Sequence, residues 1–230
     1  MSVFDGLKMP KVIYETDSEI NGLIRIVDVG SSTRRLVVGN TIQSLNSDSP
    51  ACPKLYWGQL VNSLKNRSPV LEKCLILGLG GGTIAHLLSK SYPGIEITSV
   101  EIDSTMIDIS RKFFDLDSIP NHKIIQGDAL RVVIEPEEYD ITPAYFDLLI
   151  VDFLVEDTYP DLGKTGNFIS AIKRLVRSEG KIVFNRIYTE AYQEDVNIFI
   201  DNLENNFAEV DSEVVAGYTN SDNILIFGKV

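Results

Sequence analysis

Apolar residues recur with two different periods along the chain, and the change falls near residues 63–69. Before this segment, they form short runs rich in β-branched residues, which is typical of strands joined by tight turns. The predicted elements are strands over 11–14, 22–27, 35–38 and 40–43, a hairpin turn over 28–32 and a linking helix over 56–64. Residues 1–68 are therefore predicted to form a small β-rich domain with a linking helix.

From residue 69 onward, apolar strands alternate with segments whose apolar residues repeat every three or four positions. The predicted strands are 74–79, 96–101, 122–126, 146–151, 181–187 and 224–227. Between them, Met106, Ile109 and Phe113 share one helix face after the N-cap candidate Ser104. This alternation predicts an α/β fold in which residues 69–230 form a doubly wound, mostly parallel sheet.

A glycine-rich turn follows the first of these apolar strands. Gly78, Gly80 and Gly82 lie in the segment 75–83, where a strand passes into a helix. Glycine allows a tight turn there and leaves no Cβ between the backbone and a ligand. Glu101 ends the next apolar strand, about 20 residues later, where a doubly wound sheet places a carboxylate that accepts hydrogen bonds from ribose hydroxyls. Together, the turn and Glu101 predict a nucleoside site.

Two further carboxylates follow strands at the same edge of the predicted sheet. Asp128 comes shortly after strand 122–126, and Asp152 ends strand 146–151. Asp128 is suited to accept a hydrogen bond from an adenine amino group, and its alternative role is that of a helix N-cap. An unpaired carboxylate is costly after so apolar a strand, so Asp152 is expected to meet a ligand or a backbone donor. The local sequence leaves catalysis and capping equally open for Asp152.

Composition and charge narrow the class of protein. The 230 residues are 44% hydrophobic, which is enough for one sizeable core, and no apolar run has the length of a membrane helix. Because no signal peptide is recognised either, we expect a cytoplasmic protein without membrane contacts. The formal net charge of −12 disfavours nucleic acid as a partner. It suits a cationic substrate such as a polyamine, and its alternative role is solubility alone. The two cysteines and two histidines do not predict a metal site.

Several short motifs occur in an order and spacing that resemble those of one enzyme family. The matching segments are Ser18-Glu19, Thr41-Ile-Gln43, Tyr56, the glycine turn, Val100-Glu-Ile-Asp103, Gly127-Asp128 and Ile150-Val-Asp152. They resemble the spermidine synthases, the polyamine aminopropyltransferases, within the wider class of S-adenosylmethionine-dependent methyltransferase folds. The resemblance implies a transferase with a small N-terminal β-domain on a Rossmann-like catalytic domain, and it implies a homodimer.

The resemblance also implies roles for particular residues. Gln43 and Glu101 would hold the thio-nucleoside part of the donor, Asp128 would read the adenine, and Asp152 would take a proton from the attacking amine. The predicted donor-binding residues are Gln43, Gly78, Gly80, Gly81, Gly82, Glu101 and Asp128.

Three tyrosines are weaker candidates for the substrate side. Tyr56 precedes the linking helix, Tyr159 lies in the loop after Asp152, and Tyr218 precedes the last strand. Aromatic residues near a domain junction are more often packing residues, and a loop beside a crevice also serves simply as a connection. Each of these tyrosines therefore has a purely structural alternative.

Four positions depart from the family pattern, and all concern the amine-handling half of the site. The aspartate that grips the aminopropyl amine becomes Gly81, a second aspartate after the catalytic one becomes Val155, a glutamate becomes Gly58 and a glutamine becomes Asn21. An aspartate at position 81 pairs with an ammonium group but repels the carboxylate of intact S-adenosylmethionine. Gly81 removes that repulsion, and its amide is expected to donate to the methionyl carboxylate beside a helix N-terminus.

The sequence therefore predicts an enzyme that transfers the methyl group of S-adenosylmethionine to a small acceptor, with an amine as one candidate and Asp152 as base or orienting group. The first alternative is an aminopropyltransferase that uses decarboxylated S-adenosylmethionine. The second is a non-catalytic protein that retains the fold and binds a nucleoside or a partner. Retention of Glu101, Asp128 and Asp152 argues against the second alternative.

Overall fold

The computed structural model describes residues 9–153, 166–217 and 222–230. Within these ranges, the strands form one sheet of four strands and one sheet of seven. The smaller sheet lies in the first 45 residues, and the larger one is built from residue 73 onward. The predicted α/β class, with a small N-terminal β-rich part and a mostly parallel larger sheet, is confirmed.

The four-stranded sheet is an antiparallel meander with one buried face. Its strands, paired in chain order, are β1 (Lys11–Ser18), β2 (Gly22–Val29), β3 (Thr33–Val38) and β4 (Thr41–Leu45). Ile24 and Ile26 of β2 and Leu36 of β3 are fully buried, whereas the residues that alternate with them are less so. Because successive side chains point to opposite faces, the sheet has one apolar face that requires a covering layer.

The seven-stranded sheet has a doubly wound parallel core. Its strands in chain order are β5 (Lys73–Leu77), β6 (Glu96–Glu101), β7 (His122–Gln126), β8 (Phe146–Val151), β9 (Val176–Tyr188), β10 (Glu209–Val215) and β11 (Asp222–Lys229). Their spatial order is β10-β11-β9-β8-β5-β6-β7. β5 to β9 pair in parallel, and β11 is antiparallel to both of its neighbours. The strand order reverses between β5 and β8, and ligands bind at the carboxyl ends of strands at such switch points.

Helices cover both faces of the larger sheet. They are α1 (Tyr56–Arg67), α2 (Thr83–Ser91), α3 (Ser104–Phe114), α4 (Ala129–Ile134), α5 (Gly166–Leu175) and α6 (Gln193–Glu204). α1 and α2 share one core with alternate residues of β5 and β8, and α4, α5 and α6 share the core on the other face. The sequence assigns α1 to the first domain, yet its apolar side packs on the larger sheet; the boundary after residue 68 stays a prediction. No helix in the described ranges has the length and apolar character of a membrane span.

The third helix joins the two sheets. Met106, Ile109 and Phe114 of α3 pack against the buried face of the smaller sheet. The N-cap of α3 is Asp103 rather than the predicted Ser104, because the Asp103 side chain accepts a hydrogen bond from the Thr105 amide. This helix therefore supplies the layer that the apolar face of the smaller sheet requires.

Asp103 is also a polar link between the sheets. It is 3% exposed and accepts hydrogen bonds from the Ser18 hydroxyl and, at 2.6 Å, from the side-chain amide of Asn21. Burial opposes ionisation of this carboxyl, but the hydrogen bonds from Ser18, Asn21 and Thr105 outweigh that effect and lower its pKa. A carboxylate buried in this way depends on all of its donors.

We expect Asp103→Ala to lower the free energy of unfolding by about 3 kcal/mol, because it removes a helix cap and leaves the Ser18 and Asn21 donors unpaired. The matched control is Asp128→Ala, which removes the cap of α4 at an exposed position and is expected to cost about 1 kcal/mol. Urea denaturation followed by circular dichroism measures both losses. Equal losses would show that Asp103 acts only as a helix cap.

Three differences from the predicted elements have local causes. β5 ends at Leu77 rather than at residue 79, because Gly78 leaves the extended conformation with a φ of +98°. β9 begins at Val176 rather than at residue 181, since the chain pairs with β8 directly after α5 and continues through an irregularity in register. β10 was not predicted, because most of its residues are polar and it is an edge strand.

Candidate active site

The glycine turn connects β5 to α2 at the carboxyl edge of the larger sheet. Gly78, Gly80 and Gly82 have φ values of +98°, +52° and +77°, which residues with a Cβ rarely adopt. The Ser44 hydroxyl of β4 accepts a hydrogen bond from the Gly81 amide at 2.7 Å. On the other side, a serine of α3 donates to the Gly80 carbonyl at 2.6 Å. The turn is thus fixed by its neighbours before any ligand binds.

Glu101 lies at the end of β6, next to the turn. It is 9% exposed, and its Oε2 and Oε1 accept hydrogen bonds from the amides of Leu79 at 3.2 Å and Asp103 at 3.0 Å. Burial raises the pKa of Glu101, and the amides of Asp103, Leu79 and Gly80 oppose that rise. Because a carboxylate oxygen accepts more than one hydrogen bond, both oxygens have capacity for hydroxyl donors such as those of ribose.

The backbone amides of the turn are directed at protein acceptors. These pairs are Gly78 to the Val100 carbonyl, Leu79 to Glu101, Gly81 to Ser44 and Gly82 to the Leu79 carbonyl. Turns that cradle phosphate direct such amides at the anion instead. The arrangement therefore suits a nucleoside without phosphates. It also corrects the expectation for the Gly81 amide, which is buried against Ser44 rather than presented to a methionyl carboxylate.

A β-bulge in β4 sets the position of Ser44. The pairing of β3 with β4 skips Gln43, which is an extra residue between Ile42 and Ser44. Bulges bend a strand and redirect its side chains, often beside active sites. The Gln43 carbonyl oxygen lies 3.5 Å from the position that a Cβ on Gly80 would take. The predicted donor-binding residue Gln43 therefore lies beside the turn, although its ligand contact stays a prediction.

Ser44 also occupies the space next to Gly81. Ser44 is 2% exposed, and a Cβ on Gly81 would lie 2.8 Å from the Ser44 Cβ and 3.4 Å from Cδ1 of Phe114. The first of these distances is shorter than packed carbon atoms tolerate, so one side would have to move. A larger side chain at position 81 therefore requires a shift of Ser44 or of the turn.

Asp128 follows β7 and caps α4. Its Oδ1 accepts a hydrogen bond from the Leu130 amide at 2.8 Å, so the capping role is present. The preceding residue, Gly127, donates its amide to the Glu101 carbonyl at 2.9 Å, which places Asp128 at the same edge of the sheet as Glu101. Because Asp128 is exposed and capping uses one oxygen, the adenine role stays a prediction that is compatible with the cap.

Asp152 lies at the end of β8, at the switch point of the sheet. Its Oδ1 accepts a hydrogen bond from Nδ2 of Asn185 at 2.7 Å, and its Oδ2 accepts one from the Tyr56 hydroxyl at 3.2 Å. Burial raises the pKa of Asp152 to about 7, and the hydrogen bonds from Asn185 and Tyr56 oppose the rise. A carboxyl that titrates near neutral pH beside a ligand crevice is suited to accept a proton from a bound molecule.

The backbone of Asp152 packs directly on the glycine turn. The Asp152 amide donates to the Leu77 carbonyl at 2.9 Å. A Cβ on Gly78 would lie 2.3 Å from the Asp152 carbonyl oxygen. This close approach sets the spacing between the turn and the carboxyl group. The structure thus brings the turn, Glu101 and Asp152 together at one edge of the larger sheet.

Comparison with known families supports the same interpretation. A family model described as the spermine/spermidine synthase domain matches residues 54–230, which is more than half of the chain. The chain belongs to the spermine/spermidine synthase family. The resemblance inferred from the short motifs is confirmed.

The chain is similar in sequence to two kinds of relative. The chain is 28% identical over 153 residues to the polyamine aminopropyltransferase of Vibrio vulnificus, covering 66% of this chain and 50% of the relative. It is 32% identical over 95 residues to an eEF1A lysine and N-terminal methyltransferase homolog of Drosophila pseudoobscura pseudoobscura, covering 41% of this chain and 14% of that protein. The chain thus spans half the length of the first relative and much less of the second. Both relatives are named as transferases, in agreement with the transferase prediction.

Solved structures show the same fold. A spermidine synthase in complex with the transition state analogue AdoDATO aligns with a TM-score of 0.74 at 18% identity, over 95% of this chain and 73% of that one. Spermidine synthase from Thermotoga maritima gives 0.69 at 18% identity, over 95% and 72%. Human methyltransferase-like protein 13 in complex with SAH gives 0.58 at 19% identity, over 69% and 72%. The likeness confirms the Rossmann-like, methyltransferase-type fold.

At two positions that depart from the family pattern, the local packing or hydrogen bonding fits the residue that is present. A Cβ on Gly58 would lie 2.5 Å from both the Cys52 carbonyl oxygen and the Pro53 Cα, so α1 packs too closely on the preceding turn for a glutamate. Asn21 donates to Asp103 and thereby links the two sheets. A third departure, Val155, lies outside the described residues.

Of the three candidate tyrosines, the structure describes only Tyr56. The Tyr56 hydroxyl binds Asp152, so this residue lies in the site. Its neighbour Trp57 is 4% exposed and belongs to the core. Tyr159 and Tyr218 lie outside the described residues, and their substrate roles stay predictions.

Sequence reasoning missed three polar residues of the site. They are Ser44, Asn185 of β9 and Asn223 of β11, whose Nδ2 donates to Oδ1 of Asn185 at 2.9 Å. A signal for Asn185 was available, because an amide within the apolar run 181–187 requires a buried partner. No comparable signal marks Ser44, since its position depends on the bulge at Gln43.

Proposed function

We propose that this family member transfers a methyl group from S-adenosylmethionine to a small-molecule amine, with Asp152 as the base. The contact between Ser44 and Gly81 is the observation from which the donor is inferred. It leaves the turn without a carboxylate at the position where the aminopropyltransferase pattern has one. The position of Asp152 supports the choice of an amine acceptor.

The residues present fit an adenosyl donor. Glu101 has two buried oxygens with remaining acceptor capacity, and Gly78 and Gly80 of the turn beside it are partly exposed. Gln43, Gly78, Gly80, Glu101 and Asp128 would contact the donor, and the buried residues Gly81 and Gly82 would shape the turn that holds it. The solved relatives in complex with AdoDATO and SAH support a donor of this type.

The charge of the donor's tail separates the two reactions. Intact S-adenosylmethionine carries an ammonium and a carboxylate on its tail, whereas the decarboxylated form carries only the ammonium. An ammonium in a poorly hydrated site requires a negative partner. The Ser44 hydroxyl is neutral, and a carboxylate side chain at position 81 would crowd the Ser44 Cβ. The turn therefore suits the tail with no net charge.

Asp152 is placed to prepare an amine for reaction. The donor supplies a methyl group on a positively charged sulfur, which a nitrogen lone pair displaces. An ammonium group has no such lone pair, so it must first lose a proton. Asp152, whose pKa is about 7, is largely ionised at pH 8 and accepts that proton. The relatives are named for polyamines and for lysine and N-terminal methylation, and all of these acceptors are amines.

Calorimetry with three ligands tests the donor. We expect S-adenosylmethionine to bind at least about tenfold more tightly than its decarboxylated form, with methylthioadenosine reporting the nucleoside contribution alone. Turnover is then measured with methyl-labelled donor and a panel of small amines, together with peptide amines. Preference for the decarboxylated donor would support the aminopropyltransferase alternative, and binding without any product would support the non-catalytic one.

A paired substitution supplies the control for this test. Ser44→Gly combined with Gly81→Asp opens the space beside the turn and places a carboxylate in it. We expect the double variant to shift the preference toward decarboxylated S-adenosylmethionine, whereas Ser44→Gly alone leaves the order of affinities unchanged. An unchanged order in the double variant would contradict the assignment of donor choice to these two positions.

A further inference from the structure

Two side chains in series, Asn223 and Asn185, lead to the Asp152 oxygen that Tyr56 does not bind. Asn223 on β11 donates from Nδ2 to Oδ1 of Asn185 at 2.9 Å, and Asn185 donates from Nδ2 to Oδ1 of Asp152 at 2.7 Å. Asn185 is 6% exposed, so it lies behind Asp152 rather than in open contact with solvent. This position suits a residue that acts on a ligand only through Asp152.

The direction of these hydrogen bonds has a chemical consequence. A side-chain amide has a donor end and an acceptor end. The donor end stabilises an ionised carboxylate, whereas the acceptor end would stabilise a protonated one. Asn223 occupies the acceptor end of Asn185, which prevents the amide from reversing when Asp152 takes up a proton. Oδ1 of Asp152 thereby keeps a donor in both protonation states, and Oδ2 accepts the longer hydrogen bond, at 3.2 Å, from the Tyr56 hydroxyl.

We propose that Asn185 is a positioning residue that stabilises the ionised form of Asp152 and fixes the orientation of its carboxylate, and that Asn223 fixes the orientation of the Asn185 amide. The role of Asn185 in catalysis rests on the proposed function. The hydrogen-bonded chain itself is a property of the folded protein.

The effect of the Asn185 amide on the pKa of Asp152 is large enough to measure. Among the described residues, the groups that set its pKa besides burial are the Asn185 amide from β9 and the Tyr56 hydroxyl from α1. The next residue on β9, Arg186, lies on the other face, with its guanidinium 4.2 Å from the ring centroid of Phe199. The loss of one donor to a carboxylate is expected to raise its pKa by about one to two units.

The experiment is a pH titration of the Asp152 carboxyl carbon by NMR in protein labelled with ¹³C-aspartate, with Asp152→Asn to assign the signal. Asn185→Leu is nearly isosteric, and we expect it to raise the Asp152 pKa by about one unit or more. Asn206→Leu is the control, because that amide binds Asn202 elsewhere in the fold. An unchanged Asp152 pKa in Asn185→Leu would overturn the proposal.

A second variant tests the role of Asn223. In Asn223→Asp, the new carboxylate accepts only, so Asn185 reverses and turns its carbonyl toward Asp152. The charge at position 223 also raises the Asp152 pKa by itself, and this effect is measured separately in the Asn185→Leu background. We expect a larger shift when Asn185 is present than when it is absent. Equal shifts in the two backgrounds would overturn the orienting role of Asn223.

The same variants separate this inference from the proposed function. If the chain turns over substrate, the acidic limb of the pH profile of kcat moves upward in Asn185→Leu by the shift seen in the NMR titration. If no acceptor is methylated, the proposed function fails, but the titration still reports on the hydrogen-bonded chain. A normal pH profile in an active Asn185→Leu variant would contradict the positioning role.

Discussion

Asp152→Asn is expected to lower turnover by about 10²- to 10⁴-fold, because it removes the group proposed to accept the proton of the amine. Donor affinity is expected to change by less than about twofold, because the substitution keeps the shape of the side chain and the proposed donor contact, Glu101, lies on a different strand. Labelled-donor turnover and calorimetry measure the two quantities on the same preparation. Unchanged turnover would remove Asp152 from the mechanism, and a parallel loss of binding would assign it to the donor site.

Asp152→Asn, which is expected to lower turnover, is expected to stabilise the folded protein at pH values near and above 7. Folding raises the pKa of Asp152 to about 7, so the folded protein holds this proton more tightly than the unfolded chain. The wild-type protein therefore loses stability as the pH rises from about 4 to about 7, by roughly 2 to 4 kcal/mol. The asparagine side chain introduced by Asp152→Asn carries no charge, so the variant escapes this loss. Denaturation at pH 5 and pH 8 measures the difference between the two proteins, which is expected to grow with pH; a constant difference would contradict the raised pKa.

Gly78→Ala is expected to produce the largest loss of stability among single substitutions in the site, more than about 4 kcal/mol, which corresponds to a Tm decrease of about 8 to 16 °C. The added Cβ would lie 2.3 Å from the Asp152 carbonyl oxygen, and both partners are backbone directly after the last paired residues of β5 and β8. Movement of either one would strain the hydrogen bond from the Asp152 amide to the Leu77 carbonyl. Thermal denaturation followed by circular dichroism measures the loss.

Gly94→Ala is a matched control for this prediction. Gly94 has a φ of +86°, close to that of Gly78, but a Cβ there would have no atom within 4 Å. The control therefore contains the backbone strain of a left-handed conformation without the collision and is expected to cost about 1 to 2 kcal/mol. Similar losses for the two variants would show that the contact with Asp152 is not tight.

The parallel core of the fold was predictable because its strands are nearly pure apolar runs. The observed limits of β6, β7 and β8 equal the predicted ones, and all three are bounded by turns or polar segments. β10 was not predictable in the same way, because an edge strand exposes one side and its residues are mostly polar. The N-cap of α3 was misplaced by one residue, since Asp103 and Ser104 are both good capping residues and only the contacts with β1 distinguish them.

The site was predictable where position in the sheet determines it. Glu101 and Asp152 end strands, and the carboxyl ends of parallel strands meet at one edge, so their proximity follows from the strand pattern alone. Ser44 and Asn185 were not predictable, because they come from an antiparallel bulge and from a distant strand. The expectation for the Gly81 amide was wrong for the same reason, since its acceptor is contributed by β4.

The bulged strand β4 has a consequence for building chimeras of this family. The matched family segment begins at residue 54, but the chain before it provides Ser44 and also Leu45, whose backbone exchanges two hydrogen bonds with the Thr83 hydroxyl at the start of α2. A crossover placed at the start of the matched segment would therefore separate Ser44 from Gly81 and Leu45 from Thr83. Under the proposed assignment of donor choice to Ser44 and Gly81, we expect a chimera to keep its donor preference only when both segments come from the same parent.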